Sequence, residues 1–299
     1  MLNNKKDCFV LGLQADTHHS TNDFDDGIKI CPATDYGKIF SFSELNKNVK
    51  LNAVCNLGDM VRGYEFDPVE YTRRDLKEAV VMYLDDAEYP VFLIAGNHDN
   101  GVLWTKNEVY GTGNRSLDEI LLPAERYEAM VKPLKEKADI KDYPGKLYYY
   151  CDLDGVRIVA LDTDDLDYKE IAPSDVDINN HKISDEQILW LENEALDTKL
   201  PVIVLCHVPL MEELLQGSCH ALGDDRVVEI LSSFKADGGD VIAVLSGHMH
   251  FKDSALYNGI NYIGIEMGYD KGEIMTVLKE SRKIVFKDLS DGTEREFDY

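Results

Sequence analysis

Val91-Phe92-Leu93-Ile94-Ala95-Gly96-Asn97-His98-Asp99 is an apolar run that stops at a glycine and then delivers side chains able to bind a metal or carry a proton. Read as a buried strand with a site at its tip, it has four counterparts in the chain. Phe9 to Ala15 leads into Asp16-Thr17-His18, and Leu51 to Leu57 leads into Gly58-Asp59. Val202 to Cys206 ends at His207, and Val241 to Leu245 runs into Ser246-Gly247-His248-Met249-His250. Five short apolar runs that each release Asp, Asn or His predict an open α/β sheet, with ligands in the crevice beyond the carboxyl ends of its strands.

The segments between these runs fit that frame. Val69 to Leu84 carries Leu76, Ala79, Val80, Tyr83 and Leu84 at helical spacing, with a start expected at Asp67-Pro68, so the second and third strands form a βαβ unit. Lys146 to Asp152 and Val156 to Leu161 flank an Asp154-Gly155 turn and predict an antiparallel hairpin. Ser184-Asp185-Glu186-Gln187 reads as a capping box before a helix, and Arg226 to Phe234 as a second helix. After His250 the pattern turns to antiparallel strands: Ser254 to Tyr257 with Asn261 to Ile265 about Asn258-Gly259, then Glu273 to Leu278 with Lys283 to Leu289. There is no internal repeat or linker, so residues 1–299 are expected to form one domain, with the aromatic and helical excursion 100–145 a candidate cap over the site.

Composition narrows the partners. With 31 Lys+Arg against 56 Asp+Glu the formal charge is -25, a field that repels a nucleic acid duplex. No apolar run approaches the ~18 residues that cross a bilayer, so no membrane partner is expected. The six cysteines are scattered without a C-x-x-C pair and read as small core residues of a reducing compartment, which makes a cytoplasmic location the expectation. The pattern specifies no oligomeric state.

Taken singly the motifs are weak, since a strand-end Asp is usually a turn former and a lone histidine usually structural. Together they are not. Five of the eight histidines (His18, His98, His207, His248 and His250) follow apolar runs, with Asp16, Asp59 and Asn97 beside them. Mixed imidazole and carboxylate donors suit Mn, Fe, Zn or Co. Asp16, His18, Asp59, Asn97, His207, His248 and His250 are too many for one tetrahedral ion, and two divalent transition metal ions sharing a carboxylate use them economically. Such a pair lowers the pKa of a bridging water to give a hydroxide and clamps the entering and leaving oxygens of a phosphoryl displacement. Two ions, two carboxylates and one hydroxide leave a net charge of about +1 to meet a phosphate. His19 reads equally well as an exposed loop residue or as support for the site, while His181 and His220 have no motif and read as structural.

In order, Asp16-x-His18, Gly58-Asp59, Gly96-Asn97-His98-Asp99, His207 and Gly247-His248-x-His250 resemble the five motif blocks of the calcineurin-like metallophosphoesterase family, over nearly the whole chain. The resemblance implies a four-layer α/β/β/α sandwich, two mixed β-sheets flanked by helices. It implies one metal on Asp16, His18 and His250, another on Asn97, His207 and His248, and Asp59 as the bridge. His98 would protonate the leaving oxygen, with Asp99 helping to hold it. Arg62, Tyr64, Asn100 and Trp104 follow the motifs closely enough to be candidate substrate contacts. Gly58 to Gly63 is one residue shorter than in protein Ser/Thr phosphatases, so Arg62 does not inherit that branch's phosphate-binding role. Purple acid phosphatases place a tyrosine where Arg62 stands and lack a counterpart of His18, so no iron-tyrosinate centre is expected. The implied activity is hydrolysis of a small phosphomonoester, phosphodiester or diphosphate. Two alternatives stand beside it: a non-catalytic module of the same fold that binds a protein partner, and two unrelated mononuclear sites.

Overall fold

The computed structural model describes residues 8–20, 39–63, 69–85, 87–101, 120–166, 181–215, 220–268 and 272–299. Tyr64, the Asp67-Pro68 helix start, Trp104 and the rest of residues 102–119 of the candidate cap lie outside them.

Two mixed sheets face one another. The first has six strands in the order β15 (Glu294–Asp298), β14 (Lys283–Asp288), β13 (Glu273–Leu278), β1 (Cys8–Gln14), β2 (Ala53–Asn56), β3 (Val91–Leu93). Strands β1, β2 and β3 run parallel, as a βαβ unit requires, and β13 joins β1 antiparallel from Cys8↔Leu278 to Leu13↔Glu273. The second sheet has seven strands, in the order β11 (Asp253–Tyr257), β12 (Ile260–Gly264), β10 (Val241–Ser246), β8 (Val202–Leu205), β6 (Val156–Ala160), β5 (Tyr149–Leu153), β4 (Lys141–Asp142). Here β6, β8 and β10 are parallel neighbours, and a separate short pair, β7 (His181–Lys182) and β9 (Ala221–Leu222), also runs parallel. Both predicted tight turns are present, Asp154-Gly155 and Asn258-Gly259, each with positive φ at its two central residues as a type I′ turn demands.

The continuous apolar runs are explained by burial on both faces. In β8, Ile203 and Leu205 join the core between the sheets, while Val202 and Val204 belong to a second core. That outer core contains Ile188, Leu191 and Trp190 from the helix begun at Asp185–Trp190, and Val227, Val228 and Leu231 from the helix Asp224–Ala236. Ser184 caps the first of these, its hydroxyl accepting the Gln187 amide as the capping box predicts. The other outer layer is the helix Val69–Leu84, buried through Leu76, Ala79, Val80 and Tyr83. Of the 100–145 excursion, the helical run from Pro123 to Leu134 packs Tyr127, Met130, Val131 and Leu134 into the main core, as part of this outer layer. Cys55, Cys151 and Cys206 are buried free thiols.

One contact couples the sheets directly. β3 is an edge strand, yet Leu93 is fully buried, so its outward backbone groups need a partner away from water. The Tyr149 hydroxyl from the opposite sheet supplies it, accepting from the Leu93 amide at 3.0 Å and donating to the Leu93 carbonyl at 3.0 Å.

Candidate metal centre

The carboxyl ends of β1, β2 and β3 from one sheet and of β8 and β10 from the other meet at one place. Backbone bonds stitch the tips together: the Asp16 amide donates to the Gly58 carbonyl, His18 to Asp59, and Gly247 to His207. A buried side-chain chain lies beneath them. Tyr83 donates to Gln14, Asn56 donates to Tyr83, and Oδ1 of the Asn56 side chain accepts the Gly58 amide at 2.9 Å.

The tips are conformationally unusual. Among the described residues eight non-glycines have positive φ, and five of these are Asp16, His18, Asp59, His248 and His250. Residues outside turns adopt that region at a cost of order 1–3 kcal/mol each and cluster where a site fixes them. The motif glycines answer a second constraint, closeness. A Cβ on Gly58, which also has φ +98, would lie 2.4 Å from His207 Nδ1, and one on Gly96 would lie 2.2 Å from the Asp59 amide and Oδ1.

Two groups of donor atoms result, each within 4.8 Å: Asp16, His18, Asp59 and His250 in one, Asp59, His207 and His248 in the other. Asn97 belongs with the second, its Oδ1 lying 2.9 Å from His207 Nε2 and 3.1 Å from His248 Nδ1. In the first, His18 Nε2 lies 3.3 Å from His250 Nε2, and His250 Nε2 lies 3.4 Å from Asp16 Oδ1. Asp59 stands in both. Its Oδ2 is 3.2 Å from His207 Nε2 and 3.9 Å from His18 Nε2, while its Oδ1 is occupied by the His98 amide at 2.8 Å.

These spacings fit metal ions. Donors at ~2.0–2.2 Å from one ion lie about 3–3.5 Å apart when adjacent in its shell, the separation of the pairs above other than Asp59 Oδ2 and His18 Nε2. Orientation fits too. His207 Nδ1–H donates to the Leu57 carbonyl at 2.8 Å, which leaves Nε2 as the lone-pair nitrogen turned inward. Protonation points the same way. Burial, and then the neighbouring imidazoles His98 and His207 respectively, keep His18 and His248 neutral, the form a metal needs. His207 differs: burial opposes its charging, but the Asp59 carboxylate, its hydrogen bond and Asp16 outweigh it and lift the ring to about 10, so that a metal ion at Nε2 would displace a proton. Burial also opposes ionisation of Asp59, yet His207 and His98 hold its carboxyl well below the usual range. The centre is one that attracts positive charge.

His98 occupies a different position. Its Nδ1–H donates to the Arg62 carbonyl at 2.7 Å, so Nε2 is the nitrogen that faces the centre, 3.9 Å from Asp59 Oδ2. Asp99, expected to hold His98, instead ties two motif loops together. Its oxygens accept the Val61 amide at 3.1 Å and the Gly96 amide at 2.8 Å, because its side chain turns inward from the short 3₁₀ turn His98–Asn100. It is fully buried, and burial followed by the charge of Asp59 raises its pKa to about 7. The Arg62 side chain is half-buried, and Asn100 is buried with its carbonyl accepting from Leu121. His19 approaches Glu78 at 3.4 Å and His220 approaches Asp224 at 3.2 Å, away from the donor groups.

His181 is where sequence reading fell short. It lies against His248 with ring centroids 5.1 Å apart. No motif flanks it. A signal was available in its neighbours, since it stands just before the Ser184 cap and its partner Asp164 sits in the acidic tip that follows Leu161.

A two-sheet α/β sandwich with this donor set at its strand tips defines a class by architecture, sandwich proteins with a candidate metal centre where the two sheets' strand tips meet. Within it, the chain belongs to the calcineurin-like phosphoesterase family, whose model matches residues 10–252. It is 31% identical over 127 residues to a probable cyclic nucleotide phosphodiesterase of Rhodococcus erythropolis (strain PR4 / NBRC 100887), a match covering 41% of this chain and 36% of that relative's length. Among solved structures it is similar to a dimetal phosphatase from Danio rerio (LOC 393393), with TM-score 0.62 and 14% identity over 97% of this chain and 99% of the other. It is also similar to GAP50, the anchor in the inner membrane complex of Plasmodium, with TM-score 0.56 and 14% identity over 98% and 89%. At such identities the likeness is one of fold. Among the described residues no helix is long and apolar enough to cross a membrane.

Proposed function

We propose that the chain hydrolyses a small phosphorylated substrate, a phosphomonoester, phosphodiester or diphosphate, with two divalent transition metal ions (Mn, Fe, Zn or Co). Asp16, His18 and His250 would hold one ion, Asn97, His207 and His248 the other, and Asp59 both. The observation that carries this reading is the placement of Asp59 Oδ2, 3.2 Å from His207 Nε2 and 3.9 Å from His18 Nε2, where one carboxylate oxygen reaches both donor groups. When bound, the pair of ions supplies an acidified water and a clamp for the entering and leaving oxygens.

The chain's own residues do the rest. Because Nδ1–H of His98 donates a hydrogen bond to the Arg62 carbonyl, a second proton on that ring sits on Nε2, facing the centre. His98 in that form donates to the leaving oxygen and returns to the neutral Nδ1–H tautomer, still held by Arg62. Asp59 fixes the backbone of His98 through Oδ1 while turning Oδ2 inward, so the acid and the donor groups keep one geometry. The name of the Rhodococcus relative makes a phosphodiester, including a cyclic nucleotide, the first substrate to try.

The test is metal analysis and turnover of nitrophenyl phosphate monoesters and diesters by the wild type and His98→Ala. The expected result is about two metals per chain in both proteins and a turnover lower by roughly 10²–10⁴-fold in the variant. Unchanged turnover in His98→Ala overturns the acid assignment. Metal-loaded protein inactive on every ester and diphosphate points instead to a binding module that keeps the fold.

A further inference from the structure

His248 packs against two other imidazole rings. Its ring stands edge-to-face with His207 at 5.1 Å and 80°, and with His181 at 5.1 Å and 82°. His207 is anchored by the Leu57 carbonyl. His181 is anchored by Asp164, whose Oδ1 accepts its Nδ1–H at 2.8 Å, with both side chains buried. The backbone around this second anchor is tied down as well. Lys182 donates to the Thr163 carbonyl, Asp165 donates to the Lys182 carbonyl, and the Val208 amide next to His207 donates to the Thr163 hydroxyl. Gln187 on the helix that follows accepts the Asp162 amide and donates to the Asp162 carbonyl.

A core histidine with a purely structural role satisfies both ring nitrogens. His181 does not: among the described residues its buried Nε2 has no hydrogen-bond partner, and neither has Oδ2 of Asp164. Such groups cost about 1–3 kcal/mol each, and an apolar residue would fill the space without that cost. What the pair does is hold an anchored ring against His248, a partly exposed residue whose Nδ1 belongs to the second donor group.

We propose that His181, oriented by Asp164, is a positioning residue that fixes the ring of His248 and so sets the affinity of the donor group formed by Asn97, His207 and His248. This rests on the dinuclear reading above. Partners that orient metal ligands typically contribute ten- to a hundredfold in affinity.

The experiment is titration of metal-free full-length protein with Co²⁺ and Mn²⁺, followed by calorimetry and, for Co²⁺, by the visible ligand-field bands. Reference variants His207→Ala and His250→Ala identify which binding phase belongs to which donor group. His181→Ala and Asp164→Leu are expected to weaken, by about tenfold or more, the same phase that His207→Ala removes and to shift its Co²⁺ bands. The phase removed by His250→Ala should stay within about twofold. Asp164→Asn, which keeps an acceptor for the Nδ1 proton, should restore most of the affinity. Equal weakening of both phases in step with a lowered Tm, or no change in either, overturns the proposal while leaving the dinuclear reading intact. Wild-type protein that binds no metal overturns both.

Discussion

Replacing Tyr149 by phenylalanine removes one oxygen and leaves the ring in place, so it isolates the contact that closes the buried edge of β3. The hydroxyl serves the Leu93 amide and carbonyl, both at 3.0 Å, in a place where Tyr149 and Leu93 have no solvent exposure. Without it, two backbone groups lose their partner at about 1–3 kcal/mol each, and phenylalanine adds no large cavity. The expected loss is about 2–6 kcal/mol, or a fall in Tm of roughly 4–24 °C at ~2–4 °C per kcal/mol. Urea and thermal denaturation with chelator present measure this without a contribution from bound metal. Since Leu93 precedes Asn97 by only a short loop, the folded variant should also show lower protection of the Leu93 and Ile94 amides in hydrogen exchange. A Tm shift below about 2 °C, with those amides still protected, would refute the reasoning and show that the edge finds other partners.

Gly58→Ala combines a left-handed backbone with a Cβ 2.4 Å from His207 Nδ1, and should lower stability by at least about 1–2 kcal/mol while weakening the His207 phase of metal binding. Normal metal titration of that variant would show that the loop gives way freely. Asp59→Asn should weaken both metal phases together, whereas loss of one alone would favour two separate mononuclear sites. Asp162→Asn tests a pH dependence. Burial raises the Asp162 carboxyl to about 7, against the opposing charge of Arg126 and with help from Asp165 and Asp164. The native carboxyl therefore keeps its proton where the unfolded one, at about 3.9, has lost it, and the wild type loses stability as pH rises from about 4 to about 7. Asparagine still accepts the Asp164 amide but does not titrate, so the Tm of the variant relative to wild type should climb over that interval. A pH-independent difference would count against the buried charge.

Local chemistry made much of this molecule readable. Apolar runs ending in Gly58-Asp59, Gly96-Asn97 or Gly247-His248 are strands followed by a glycine whose missing Cβ lets neighbouring tips approach closely, and the turns at Asp154-Gly155 and Asn258-Gly259 announce their hairpins. What escaped depends on partners distant in sequence. Nothing near Glu273 says that β13 will lie beside β1, and Glu294–Asp298, with Phe297 its only apolar residue, has no strand pattern yet pairs with β14. The Tyr149 hydroxyl, the inward turn of Asp99 and the place of His181 follow from how two sheets stack, which periodicity does not encode.

The position of β1 between β2 and β13 has a consequence for how the chain is made. Leading residues Cys8 to Leu13 find their antiparallel neighbour only in Glu273 to Leu278, beyond the end of the family match at 252. At about 5–20 residues per second on the ribosome, the flank of β1 that includes Phe9 and Leu11 stays open for roughly a quarter of a minute to a minute. An uncovered apolar strand of that duration is a template for mispairing, so the nascent chain should depend on holding factors, and release before residue 278 should yield aggregates instead of a shortened native fold.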